Sequence, residues 1–229
     1  MKSSEFVRRA LDIANNLSTL YVLGCFGAPL KSSTVQRYID QYSYNKSREQ
    51  QIRAHTDNRP CVFGFDCVCL VKALRWGFSA DENHQYGGAV YQSNGVPDIG
   101  EDEMIRRCLD VSTDFSNIVP GEVVWITGHF GIYVGDGKVV ECTPAWKNRV
   151  QITTLGNLKR EGTYRIWTKH GKLPYLEYDT AMALGAEDYI ALIAKKAGFN
   201  DPAPAISAMK QLKYKYALDL WRKIYEKMK

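Results

Sequence analysis

The sequence predicts an α+β protein, with helices in the first half of the chain and an antiparallel sheet in the second. Apolar residues recur at helical spacing over residues 4–18 and again after Cys67. Between residues 123 and 168 they alternate with polar residues in short runs that glycine-containing turns separate, as in strands joined by hairpins. Helices and strands that are segregated along a chain are typical of this fold class.

The first 60 residues are predicted to form two helices and two irregular segments. The first helix covers residues 4–18, whose apolar positions form one side. Residues 21–29 contain two glycines and a proline and are predicted to be rich in turns. A serine can cap a short second helix that ends near Tyr42. Residues 43–60 are polar with little apolar periodicity, which indicates a surface insertion.

The middle of the chain is predicted to alternate between helix and loop. A helix runs from Cys67 to about Trp76, and the glycine-rich residues 79–100 form a loop. The spacing of Asp98 and Glu101 fits a capping box, which opens a helix from about 100 to 109.

The second half is predicted to be strand until about residue 177, after which the composition becomes rich in alanine and lysine. The predicted strands cover residues 123–126, 129–134, 138–142, 150–154 and 163–168. The predicted tail helices cover 187–197, 203–211 and 213–228. We therefore divide the chain into a domain of residues 1–177 and a helical module of residues 178–229, which we expect to attach the protein to its substrate or to form a homo-oligomer.

Composition narrows the class of protein. A chain of 229 residues with 45% hydrophobic and 24% charged residues is long enough for a globular core. The net charge of +5 is modest and no dense run of lysine and arginine occurs, so nucleic acid is not an expected partner. Six irregularly spaced cysteines indicate reduced thiols rather than a disulfide framework, and Cys67 and Cys69 lack the second pair that a zinc site needs. No metal or other cofactor is expected.

The N-terminal residues give no sign of a signal peptide, because acidic and amide side chains interrupt the first apolar stretch. No run approaches the roughly 20 apolar residues that a membrane span needs. We expect a protein that is made in the cytoplasm and does not insert into a membrane.

Cys67 is the candidate nucleophile. It lies in the first turn of its predicted helix, on the same side as Leu70, Val71 and Leu74. Unpaired N–H groups and the helix dipole favour an anion at that position, so we expect a lowered thiol pKa. A buried structural cysteine is the alternative, and a nearby base would decide between the two.

His129 and Glu141 supply such a base and its partner. They lie on two strands joined by the turn at Gly135 to Gly137, and both are an odd number of residues from the centre of that turn. Because side chains alternate along a strand, both are expected to face the same side of the sheet. A core histidine bonded to backbone is the alternative for His129. Cysteine, histidine and an acid that orients the histidine form the arrangement of cysteine acyl-transfer enzymes.

Three segments resemble the NlpC-type cell-wall peptidases, a papain-like family. Phe-Asp-Cys67-Val-Cys-Leu-Val is similar to their Asp-Cys-Ser-Gly-Leu-Val motif, and Gly-His129-Phe-Gly-Ile-Tyr-Val-Gly is similar to their His-Val-Gly-Ile-Tyr-Ile-Gly segment. Tyr21-Val-Leu-Gly-Cys resembles their Tyr-x-x-Gly-Gly motif. With Val140-Glu-Cys-Thr-Pro-Ala-Trp-Lys, the set resembles the prophage endolysins of this family over about residues 4–177.

The resemblance implies a papain-like fold and a set of roles. By it, Cys67 is the nucleophile, His129 the base, Asp66 a ligand for a substrate amine and Tyr21 a cleft residue near the oxyanion. A helix-terminal acid and a packing aromatic are the respective alternatives for Asp66 and Tyr21.

The chain also departs from the family pattern. The number of residues between Tyr21 and Cys67 is larger than usual for the family because of the insertion. Val68-Cys69 also replaces Ser-Gly. Glu141 stands where the family most often has a second histidine. An acid at this position resembles the related CHAP amidases.

We therefore expect a papain-like peptidoglycan hydrolase, similar to an endolysin, that acts on the cell wall after release. Its expected target is an amide bond of the stem peptide, between D-γ-glutamate and the diamino acid. An N-acetylmuramoyl-L-alanine amidase of the CHAP type and a catalytically inactive wall-binding protein are the alternatives.

Overall fold

A computed structural model of the protein describes residues 1–57, 60–156, 158–160 and 163–179, together with Ile193, Ile224, Tyr225 and Lys227. The chain divides into two compact units, Met1–Asp179 and Thr180–Lys229. The predicted tail helices lie outside the described residues, apart from these four single positions, which are helical.

The first unit has an α+β architecture, as the sequence predicts. Its helices are α1 Ser3–Asn16, α2 Val35–Gln41, α3 Ser43–Ser47, α4 Glu49–Thr56, α5 Cys67–Arg75 and α6 Glu101–Arg107. Its strands are β1 Thr19–Tyr21, β2 Phe26–Leu30, β3 Val62–Phe65, β4 Leu109–Ser112, β5 Val123–Ile126, β6 His129–Gly135, β7 Lys138–Thr143, β8 Arg149–Thr154, β9 Leu158–Arg160, β10 Thr163–Arg165 and β11 Lys169–Lys172. No described helix is long and apolar enough to cross a membrane.

The strands form three sheets. The largest has the order β4-β11-β5-β6-β7-β8 and is antiparallel throughout. A smaller sheet has the order β1-β3-β2, with β1 parallel and β2 antiparallel to β3. Strands β9 and β10 pair with each other. The antiparallel sheet predicted for the second half is therefore confirmed.

The main core lies between α1, α5 and one face of the large sheet. Phe6 and Ile13 of α1, Leu70 and Leu74 of α5, and Ile132 of β6 are all buried in one cluster. Burying a side chain of this size is worth about 1.5–3 kcal/mol relative to leaving it in water. This packing fixes the first turn of α5 against the start of β6.

Four predictions about local structure are wrong. Residues 21–29 contain the end of β1 and most of β2, because β3 provides hydrogen-bonding partners on both of its edges. Residues 43–60 contain α3 and α4 rather than an irregular insertion, and Ile52 is fully buried. The N-cap of α6 is Gly100 without a side-chain cap, since Asp98 bonds Lys72 and Tyr91 instead. Strands β4, β9 and β11, like β1–β3 in the first half, have no counterpart in the predicted set.

Candidate active site

Cys67 is the first residue of α5, where the sequence places it. Strand β3, whose four residues are all buried, ends at Phe65, two residues before Cys67. Asp66 is the N-cap: one carboxylate oxygen accepts from the Cys69 N–H at 2.7 Å and the other from the Gly24 N–H at 2.8 Å. A capping carboxylate satisfies a helix N–H that otherwise has no acceptor. The start of α5 and the nucleophile candidate are thus fixed together.

His129 and Glu141 are in direct contact. Nε2 of His129 lies 2.6 Å from Oε2 of Glu141, and Glu141 is fully buried while 16% of the His129 side chain is exposed. The register pairs Ile132 with Val140, so His129 and Glu141 are diagonal neighbours on adjacent strands. The predicted proximity of these two side chains is confirmed.

Cys67 is held against the strand that carries His129. Helix α5 packs on β6, and the backbone N–H groups of Val68 and Phe130 lower the pKa of the Cys67 thiol. Phe130 directly follows His129, so Cys67 and His129 lie on adjoining parts of α5 and β6. Nδ1 of His129 has no hydrogen-bond partner among the described residues.

The predicted lowering of the Cys67 pKa is wrong. Burial raises the pKa of this thiol well above its ordinary value, and the charges of Asp66 and Glu101 raise it further. The N–H groups of Val68 and Phe130 lower it by less. Only 6% of Cys67 is exposed, so the loss of water outweighs the helix terminus. The thiol is therefore protonated at rest, and a base must remove its proton.

Glu141 belongs to a buried cluster that sequence reasoning missed. Its second carboxylate oxygen accepts from the Arg165 guanidinium and from the Thr153 hydroxyl. Burial alone raises the pKa of Glu141, but the hydrogen bond and charge of His129, followed by those of Arg165, outweigh it and lower the pKa. Glu141 is consequently ionised and can stabilise a positive charge on His129.

Trp167 fixes the orientation of the His129 ring. The two rings stack at 15° with their centroids 5.4 Å apart, and the Arg165 guanidinium lies 4.2 Å from the Trp167 centroid. Gly131 makes this arrangement possible, because a Cβ there would lie 2.6 Å from a Val139 methyl and 3.3 Å from Trp167. Arg165 and Trp167 lie within or next to a predicted strand, yet nothing in the sequence pairs them with residues more than 20 positions away.

Tyr21 lies near the nucleophile, and Asp66 has a structural position. Burial raises the pKa of Tyr21, and the charges of Cys67 and Asp66 raise it further. No described residue hydrogen-bonds the Tyr21 hydroxyl, which leaves it able to donate to a substrate oxygen. Asp66 is buried, with both oxygens engaged by backbone N–H groups. This geometry is that of a helix cap, and the binding of a substrate amine by Asp66 stays a prediction.

The described residues contain no group of three or more His, Cys, Asp or Glu side chains that could hold a metal ion, and all six cysteines are free. A pocket of about 420 Å³ lies elsewhere, between Pro29, Arg37 and His84, and no cysteine lines it. Cys67, His129 and Glu141 belong to α5, β6 and β7, which pack together.

No protein-family model matches the chain, and no curated protein matches it. The assignment of a function therefore depends on the motifs and on the geometry of this site.

Proposed function

We propose that the protein is a papain-like peptidoglycan hydrolase of the NlpC type. Its proposed reaction is cleavage of the stem peptide between D-γ-glutamate and the diamino acid, with Cys67 as nucleophile, His129 as base and Glu141 as the orienting acid. The observation that supports this most directly is the hydrogen bond between His129 and Glu141, on the two strands against which α5, with Cys67 as its first residue, packs. Like an endolysin, the protein would act on the wall after release from the cell.

The proposed mechanism begins with a neutral thiol. As the sulfur attacks the amide carbonyl carbon, its proton passes to Nδ1 of His129, and Glu141 stabilises the imidazolium through Nε2. The Tyr21 hydroxyl and the Cys67 N–H stabilise the tetrahedral oxyanion. His129 then gives its proton to the leaving amine, the C–N bond breaks and a thioester remains. Water, deprotonated by His129, hydrolyses the thioester and restores the thiol.

A second candidate reaction is that of an N-acetylmuramoyl-L-alanine amidase. The position of Glu141 as the third residue favours this candidate, since a carboxylate replaces the histidine most frequent in the peptidase family. Both reactions use the same attack on an amide carbonyl, so the three residues alone do not separate them. The bond that is cleaved depends on which part of the substrate the cleft accepts.

Mass spectrometry of digested peptidoglycan separates the candidates. Endopeptidase activity produces new amines on the diamino acid, whereas amidase activity produces free lactyl ends. The Cys67→Ala variant is the matched control, and iodoacetamide should abolish activity of the unaltered protein. Absence of both products with intact binding to walls would overturn the enzyme proposal in favour of an inactive wall-binding protein.

A further inference from the structure

We infer that Arg48 forms a carboxylate-binding subsite beside the nucleophile, which selects substrates with a free carboxylate next to the scissile amide. This inference rests on the proposed function. Arg48 joins α3 to α4 in the inserted segment. It is partly exposed and is not among the five residues that the sequence motifs single out.

The inserted segment is anchored at the edge of the site by Asn45. This side chain is fully buried, and its amide exchanges hydrogen bonds with the Leu23 backbone at 3.0 and 2.9 Å. A third bond, of 2.9 Å, goes to the Tyr38 carbonyl. Buried polar groups that are fully bonded to backbone define one arrangement of the chain. Asn45 therefore fixes the position of Arg48 relative to the turn that follows Tyr21.

Arg48 contacts both the backbone and the ring of Tyr21. One guanidinium nitrogen donates to the Tyr21 carbonyl at 3.2 Å, and the other terminal nitrogen donates to Oδ1 of Asn148 at 2.5 Å. The guanidinium carbon lies 5.4 Å from the Tyr21 ring centroid and 5.2 Å from that of Tyr44. Two of the five guanidinium N–H groups are used in these bonds, so donors remain for a ligand.

The charge of Arg48 is not neutralised within the described residues, where no carboxylate lies within ion-pair distance of it. Its neighbour Glu49 is already engaged, with Lys46 at 3.0 Å and Arg53 at 3.0 Å. A planar guanidinium with free donors and no counter-ion is suited to a carboxylate, which it can hold through two parallel hydrogen bonds.

The position of Arg48 determines which carboxylate it can bind. The Arg48 guanidinium lies over the ring of Tyr21, and Tyr21 is paired in register with Phe65, two residues before Cys67. A substrate carboxylate on Arg48 would thus lie within a residue of the amide under attack. In a γ-linked glutamyl peptide the free α-carboxylate meets this requirement, and its carboxamide form, isoglutamine, does not.

The test compares two peptides, L-alanyl-γ-D-glutamyl-meso-diaminopimelate and the same tripeptide with the glutamyl α-carboxylate amidated. We expect the unaltered protein to prefer the carboxylate peptide in kcat/KM by about tenfold or more, the usual scale for a charge-assisted hydrogen bond. In Arg48→Met the ratio should fall close to one, with Arg48→Lys intermediate. A ratio measured on one preparation does not change if part of the protein is unfolded. Arg8→Met, which removes an exposed charge from α1, should keep the original ratio.

Two results would overturn the inference: no preference by the unaltered protein, or a preference that Arg48→Met retains. If neither peptide is cleaved, the hydrolase proposal fails separately, and calorimetric binding to the Cys67→Ala variant then tests the subsite. Tighter binding of the carboxylate peptide, lost when Arg48→Met is added, would support it. Equal binding of both peptides, or no binding of either, would reject it.

Discussion

Nε2 of His129 lies 2.6 Å from Oε2 of Glu141, and the other oxygen of the same carboxylate accepts from Arg165 and Thr153. Glu141 therefore joins the partly exposed histidine to a buried arginine. Because His129 and then Arg165 keep the carboxylate charged inside the protein, Glu141 can stabilise an imidazolium without exposure to water. This chain of contacts leads to predictions for both turnover and stability.

The two cysteines of α5 should behave differently. Cys67→Ala should abolish hydrolysis with little change in the melting temperature, because only the sulfur is removed. Cys69→Ala is the matched control: it is equally buried but lies two residues further along, and it should retain most of the activity. Peptide hydrolysis and thermal melting of both variants provide the measurements. Equal loss of activity in the two would reject Cys67 as nucleophile.

Glu141→Gln should reduce both turnover and stability. Loss of the negative charge weakens support for the imidazolium, so kcat should fall, although by less than in His129→Ala. Arg165 would also remain buried without its counter-ion, which costs about 3–5 kcal/mol in the free energy of unfolding. Urea unfolding and steady-state kinetics measure the two effects.

The double variant Glu141→Gln, Arg165→Met is the control for that prediction. It removes the unpaired charge and should recover part of the lost stability, whereas turnover should stay low. If it recovered turnover as well, Glu141 would act only through folding.

Trp167 should affect catalysis through the orientation of His129. Trp167→Leu removes the stacked ring, and we expect kcat to fall several-fold with a smaller change in KM, since the imidazole becomes less well oriented. Trp167→Phe keeps an aromatic face and should retain more activity. Parallel losses in kcat and melting temperature that the phenylalanine does not rescue would instead indicate a packing role.

Asp179 should make stability depend on pH near the acid limit. Its carboxylate accepts from the Ser3 and Ser4 hydroxyls and the Ser4 N–H at the start of α1, and these bonds lower its pKa to about 2. A lowered pKa stabilises the fold at pH values above the unfolded value of about 3.8, and that stabilisation disappears as the pH falls towards 2. Urea unfolding at pH 5 and pH 3 should show a smaller difference for Asp179→Asn than for the unaltered protein. Identical differences would contradict this role.

Residues 180–229 are predicted to bind walls or to mediate self-association. A chain that ends at Asp179 keeps the cap of α1 and the Tyr178 hydroxyl, which donates to the Gly121 carbonyl at 3.0 Å. It should stay folded and cleave small muropeptides normally, but lose binding to whole walls or change from dimer to monomer. Wall pelleting and light scattering measure these properties. An insoluble product would indicate that the tail packs on the first unit.

The sequence by itself determined the features that depend on neighbouring residues. Helix α5 begins at Cys67 because Asp66 caps it and apolar residues follow at helical spacing. A short turn joins the strands of His129 and Glu141, and a bulge between Tyr133 and Gly135 sets the register that brings both side chains to one face of the sheet. Periodicity and turn chemistry are local, so one sequence is enough to predict them.

The tertiary structure alone decided the environment of those residues. The partnership of Glu141 with Arg165 and the stacking of Trp167 on His129 join residues that are far apart in the sequence, and no local pattern specifies such pairs. The raised pKa of Cys67 follows from how completely the fold excludes water from it, which outweighs the helix terminus visible in the sequence. The insertion became ordered helix for the same reason: Asn45 and Ile52 gain their stabilisation only from the groups that bury them.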